Sequence, residues 1–211
     1  MSHFERREPL CSETFLRLPE EKRKRFLDAA WAEFTRVSFA DASINQIVHH
    51  AEIARGSFYQ YFKDKDGLME YLISEDWAYL LRGYHAVLRE VKGDIFALQL
   101  ACFDQFLLQQ KDEDPVLARF MRFLRINPGL DAQKLLGAKS DCPILQEIWP
   151  DVDTSCFRSR EPEFAAQVMT LSLMSLAAAV VDTAIHPEKA QEYRDMLALR
   201  LEIIRGGSVR A

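Results

Sequence analysis

The chain has 211 residues, 48% of them hydrophobic and only eight each Gly and Pro, which fits a folded, helix-rich protein of one or two domains and excludes low-complexity classes. Its formal net charge of −5 argues against a broad basic field: residues 1–65 carry 11 Lys and Arg against 10 Asp and Glu, leaving 16 against 22 for the remainder. Cys11, Cys102, Cys142 and Cys156 lie far apart without metal-ligand spacing, as expected of free thiols in a reducing cytoplasm.

Residues 1–18 read as a flexible arm, with no apolar run of signal-peptide length. Pro19 then suits the first turn of a helix that Glu20 and Glu21 favour through its dipole, and Lys22, Arg23, Lys24 and Arg25 give it a basic start. From Ser43 to Lys65 the chain packs two short helices and a tight turn. Ile44, Ile47, Val48 and Ala51 fall on one face of the first, and Ser43 is placed to cap it. Glu52, Ile53 and Ala54 form the turn. In the second helix Phe58 and Phe62, at i and i+4, point inward and leave Arg55, Gly56, Ser57, Tyr59, Gln60 and Tyr61 on or beside the outer face. An aromatic stripe at helical spacing is ordinarily packing, but with that pair inward at least one tyrosine must look outward.

These outward groups suit DNA. An Arg fork addresses guanine, Gln pairs with an adenine edge, and Ser and Tyr hydroxyls meet phosphate oxygens. The DNA-facing set is therefore Ser43 and Asn45 on the first helix, Arg55, Gly56, Ser57, Tyr59, Gln60 and Tyr61 on the second, and Lys65 just beyond. His49 and His50 are adjacent, so their side chains diverge by about 100° and do not chelate as an i, i+4 pair does. No catalytic motif or cofactor site is recognisable, and no enzyme activity or cofactor is expected.

A long helix is predicted from Asp66 to about Val91, ending at Lys92 and Gly93, and another from Asp94 to about Gln110. Pro115 to Ile126 reads as the next, and residues 130–160, with Pro143 and Pro150, as short helices and an exposed loop. Helices from about Glu161 to Ile185 and from Pro187 to Ile204 follow, the last closed by Gly206 and Gly207. Within the first of these, the most apolar run, Val168–Val181, is about fourteen residues, contains Thr and Ser and falls short of the roughly 20 needed to cross a bilayer, so no membrane partner is expected. Phe103, Phe106, Phe120 and Phe123 in the middle helices are ordinarily core. Small residues such as Ala177 and Ala178 allow a neighbouring helix to approach closely.

The run from Phe26 to Leu68 resembles the N-terminal domain of TetR-type (tetracycline-repressor-like) transcriptional regulators. The resemblance rests on Phe26, Ala30 and Phe34, the link at Ser38 and Phe39, and the series Ser57, Phe58, Tyr59, Tyr61, Phe62, Lys65 and Leu68. It implies an all-α fold in which a three-helix helix-turn-helix domain, residues 19–65, precedes a helical effector-binding and dimerisation domain, residues 66–211. It also implies a cytoplasmic homodimer paired through its last two helices. Such a dimer sits on a pseudo-palindromic double-stranded operator, reading grooves about 34 Å apart. A small hydrophobic or amphipathic effector releases it, most often from repression, and the resemblance implies that Phe103, Phe106, Phe120 and Phe123 line its cavity instead of a plain core, with Asp104, Arg122 or Arg125 as a polar anchor. The alternative is a helical ligand-binding or interaction protein whose DNA reader has degenerated. The chain departs from the family in having Ser38 and Glu52 where Gly is usual and Ala54 where Ser or Thr caps the second helix. A non-Gly residue at positive φ costs roughly 1 kcal/mol or more.

Overall fold

The computed structural model describes residues 9–80, 83–111, 114–129 and 149–210. Residues 1–8 of the arm, Leu81, Cys142, Pro143 and the side chains of Trp77 and Leu80 lie outside that description. Two compact units meet between Glu75 and Asp76.

The first unit contains α1 (Glu13–Leu16), α2 (Glu20–Phe34), α3 (Ile44–His50), α4 (Arg55–Tyr61) and the start of α5 (Lys65–Leu80). Residues 12–18, expected as arm, are folded instead: Ser12 caps α1, and Phe15 is fully buried. The physical reason is an aromatic core short of one ring without it. The Phe15 ring lies 5.8 Å from Phe26, 4.8 Å from Phe62 and 5.5 Å from Tyr71, while Phe26 stacks on Phe62 at 5.8 Å. Burial, followed by the nearby Glu75 carboxylate, pushes the Tyr71 phenol up to about 12, so it stays neutral.

Side chains also hold the backbone of the links. Buried Glu33 accepts two bonds from Arg36 and one from the Ser43 amide at 2.9 Å. Ser43 is thus tied to α2 through its backbone, and its hydroxyl makes no cap bond to α3, contrary to expectation. Of the two expected strained positions only Glu52 is left-handed, at φ 54°. Ser38 relaxes into a turn in which its hydroxyl donates to Asp41 at 2.7 Å.

The second unit contains α6 (Tyr84–Glu90), α7 (Ile95–Lys111), α8 (Pro115–Ile126), α9 (Pro162–Ile185) and α10 (Ala190–Ser208). The single long helix predicted over 66–91 is interrupted, since α5 ends at Leu80 and Gly83 lies in a turn before α6. At Asp114 the carboxylate accepts from the amides of Val116 and Leu117, at 2.9 Å each, which starts α8 where the proline pattern placed it. Gly206 and Gly207 do not stop α10. Both are exposed with open space around them, and the helix runs on to Ser208, whose hydroxyl donates to the Ile204 carbonyl at 2.6 Å, before Val209 pairs with Phe157.

The α9 helix has 24 residues and is apolar enough to cross a membrane, longer than the run counted in the sequence. Half of that apolar window is buried, against α7, α8 and α10. A core helix of this kind passes the same length and composition test as a membrane span.

Candidate nucleic-acid interface

The α4 helix is only seven residues long, so its orientation comes from packing and not from intrinsic helicity. Its inner face is fixed by Phe58 and Phe62, both buried as the pattern predicts. On the outer face Arg55, Gly56 and Gln60 are exposed, Tyr59 is 52% exposed and Ser57 is half-buried. A Cβ at Gly56 would meet nothing within 4 Å, so this glycine leaves a gap on the outer surface rather than serving an internal contact. Asn45 is exposed and Ser43 half-buried at the start of α3.

Two members of the expected set are placed elsewhere. Tyr61 is 9% exposed, its ring 5.7 Å from Phe15 and 5.9 Å from Phe26, because the folded N-terminal turn covers the flank of α4 that the two-helix reading left open. Lys65 spends its ammonium inside the protein. Its Nζ donates to the carbonyls of Phe39, Ala40 and Ala42 at 2.6, 3.2 and 2.9 Å and lies 4.7 Å from the Phe39 ring centroid. An ammonium has three protons and three acceptors take them. Lys65 therefore closes the link between α2 and α3, its ammonium turned to these carbonyls.

Ala54 begins α4 without a side-chain cap, as the sequence implied. The strained Glu52 carboxylate accepts from Arg25 at 2.8 Å, which ties the turn back to α2 and occupies one of the basic groups of that helix. His49 and His50 are both exposed, and His50 Nδ1 lies 2.9 Å from the Gln46 carbonyl.

In the second unit Phe103, Phe106, Phe120 and Phe123 are all buried, with the Phe103 and Phe106 rings 5.7 Å apart. Asp104, a possible anchor, is held by a two-pronged pair with Arg194 at 2.5 and 2.8 Å, and Arg125 donates to the Ala184 carbonyl at 2.7 Å. One polar chain inside this unit is neutral, and the sequence reading missed it. Tyr84 donates to Gln99 at 2.7 Å, and Gln99 approaches Ser172 at 3.4 Å, all three being buried. A Gln or Ser inside an apolar helical run is the only sequence trace such a chain leaves.

Ala177, expected at a subunit interface, is 1% exposed and packs within its own chain, because α9 turns that face toward the unit's core. Ala178 is half-buried. On α9 and α10 the exposed large apolar side chains are instead Leu171 on the former and Met196, Leu199 and Ile203 on the latter.

Residues 26–72 match the family of bacterial regulatory proteins, tetR family. An uncharacterized HTH-type transcriptional regulator, YdgC of Bacillus subtilis (strain 168), is 42% identical over 55 residues, covering 26% of this chain and 28% of that protein. The HTH-type transcriptional regulator BetI of Serratia proteamaculans (strain 568) is 42% identical over 57 residues, 25% of this chain and 29% of that one. The chain thus aligns with less than a third of the length of these curated relatives. Over nearly its whole length it shares a fold with SmeT, the repressor of the Stenotrophomonas maltophilia multidrug efflux pump SmeDEF. For SmeT the TM-score is 0.53 and the identity 17%, with 93% of each chain covered. RolR in complex with the ligand resorcinol is similar at TM-score 0.54 and 17% identity, covering 91% of this chain and 96% of RolR. This chain carries the N-terminal domain of the TetR family.

Proposed function

We propose that this TetR-family chain is a cytoplasmic, sequence-specific DNA-binding regulator, acting as a homodimer and released from its operator by a small molecule. The observation that carries the reading is the division of α4 into a locked inner face, Phe58 and Phe62, and an outer face presenting Arg55, Tyr59 and Gln60. A short helix so divided presents base-reading and phosphate-binding groups while its backbone is held still. Ser43, Asn45, Gly56 and Ser57 complete the contact surface. Lys65 and Tyr61 serve it from within.

Dimerisation is assigned to α9 and α10. On α10, Met196, Leu199 and Ile203 follow at i, i+3 and i+7, and on α9 Leu171, Ser175 and Ala178 follow at i, i+4 and i+7, so each helix offers one face to a second copy. A hydrophobic or amphipathic effector is assigned to the neighbourhood of Phe103, Phe106, Phe120 and Phe123, with the neutral Tyr84–Gln99–Ser172 chain supplying hydrogen bonds. Release requires that the effector bind two arrangements of the protein with different affinity.

The test is titration of the protein against a duplex covering the DNA upstream of its own gene. Arg55→Ala is expected to weaken binding by about 1–3 kcal/mol and to relax discrimination at one base pair of each half-site. Specific binding untouched by this change would overturn the assignment of α4.

A further inference from the structure

The reading helix is gripped at its far end by a residue outside the family-matched stretch, and we propose that Ser12 is a positioning residue for sequence discrimination by α4. The proposal rests on the DNA-reading function above. A helix leaves its last carbonyls without intrahelical partners. In α4 these sit directly before Phe62, whose extended backbone (φ −132°, ψ 143°) ends the helix abruptly. Ser12 takes two of them: its hydroxyl donates to the Gln60 carbonyl at 2.6 Å, and its amide donates to the Tyr61 carbonyl at 2.9 Å.

The same hydroxyl oxygen accepts from the Phe15 amide at 3.2 Å, where it serves as the N-cap of α1. One proton and one lone pair thus close the end of one helix and the start of another, which is within the capacity of a single hydroxyl. Three residues on, the buried Phe15 ring lies 5.7 Å from Tyr61 and 4.8 Å from Phe62. The N-terminal turn therefore holds α4 by its carbonyls on the surface and by an aromatic wedge beneath. A groove of about 600 Å³ separates Pro9 and Leu10 from Tyr59, Gln60 and Lys63, so this grip leaves the outward side chains accessible.

The residue whose carbonyl Ser12 holds is Gln60, one of the two groups on α4 suited to a base edge. Bidentate base contacts are directional and weaken steeply with misalignment, whereas attraction to phosphates tolerates displacement. Loosening the end of α4 should accordingly reduce specific binding before it reduces general affinity for DNA. A residue that merely stabilised the fold would lower both together.

The experiment uses the full chain with Ser12→Ala and, as the conservative variant that keeps the hydroxyl, Ser12→Thr. Affinity is measured at one salt concentration for the upstream duplex and for a scrambled duplex, and amide hydrogen exchange is followed along the chain without DNA. Ser12→Ala is expected to lose about 5-fold in specific affinity per half-site, the worth of one hydrogen bond. Scrambled-duplex affinity should be unchanged, exchange at the Tyr59–Phe62 amides faster, and Ser12→Thr close to the parent. Unchanged exchange at those amides overturns the proposal, and so does an equal loss on both duplexes. If the parent itself fails to distinguish the duplexes, the DNA-reading function falls and the proposal with it, while faster exchange in Ser12→Ala would place the failure in that reading and not in the grip.

Discussion

The unit up to Glu75 and the unit from Asp76 onward are both helical, but they hold their helices in different ways. In the first, α3 and α4 have seven residues each, too few to persist alone in water. They exist because aromatic rings and a few side chains grip their backbone: Ser12 on α4, Lys65 on the α2–α3 link, Glu33 on the start of α3. In the second, α7, α9 and α10 have 17, 24 and 19 residues, and pack along their length. The lesson is that stabilisation is concentrated in single residues on one side and spread over many on the other. Substitutions in the first unit should therefore have sharper and more local effects.

The largest expected effect is at Phe26, whose ring touches Phe15, Phe58, Tyr61 and Phe62. Phe26→Ala should cost about 3–5 kcal/mol, a large share of the roughly 5–15 kcal/mol that holds a domain together. Light scattering should still report a dimer, while circular dichroism loses the first unit's helices at a lower temperature and operator binding disappears. Ile203→Glu should do the reverse. Ile203 is 66% exposed, so this change should leave the helical signal and melting intact, give monomeric protein, and weaken operator binding through the lost second half-site. If both variants remained dimeric, the surface of α10 would not be the interface.

A smaller effect is expected at Lys65. Lys65→Met keeps the hydrocarbon stem and removes the ammonium, leaving three carbonyls without their donor at a cost of about 1.5–3 kcal/mol. Because these bonds are internal, the slope of log affinity against log salt should stay at the parent value. A slope flattened by about 0.9 per half-site would instead show that Lys65 reaches a phosphate in the complex.

The same contrast explains what was legible in the sequence. Long helices announce themselves by periodicity and by Pro, and α8 and α9 lie where Pro115 and Pro162 placed them. The helix-turn-helix was legible through Phe58 and Phe62, because an inward pair determines which residues are left outside. Long-range grips were not. Nothing in a linear reading distinguishes a lysine that points to solvent from Lys65, which folds back across 23 to 26 residues to three carbonyls. Tyr61 reads as lying on or beside the outer face of α4 as long as the segment containing Phe15, which covers it, reads as arm. At Ala177 small size was legible but direction was not, since α9 is apolar nearly all round and its pattern does not say which small residues face the chain's own core.

The smallest and most discriminating test lies at Glu52, where a local cost and a local tie oppose each other. Its left-handed backbone costs roughly 1 kcal/mol relative to Gly. The ion pair with Arg25 repays little, because its side chains are 73% and 45% exposed and such pairs contribute about 0–1 kcal/mol. Glycine also gives back part of the gain, since its unfolded chain is freer by about 0.4–1 kcal/mol. Strain relief is nearly cancelled by the lost tie and the freer unfolded chain, so Glu52→Gly should change stability by less than about 1 kcal/mol. Its effect on DNA should be clearer. Removing the carboxylate deletes a negative charge beside the reading helix and frees Arg25 for a phosphate, so the salt slope should steepen by up to about 0.9 per half-site. Glu52→Gln separates the two terms: it keeps the strained backbone and removes the charge, so it should match Gly in salt slope and fall below it in melting temperature. Thermal melts and salt titrations of the three proteins check this. A Glu52→Gly protein less stable than the parent by more than about 1 kcal/mol would show that the Arg25 tie is worth more than an exposed ion pair, and a Gln variant with the parent's salt slope would show that Arg25 stays clear of the DNA.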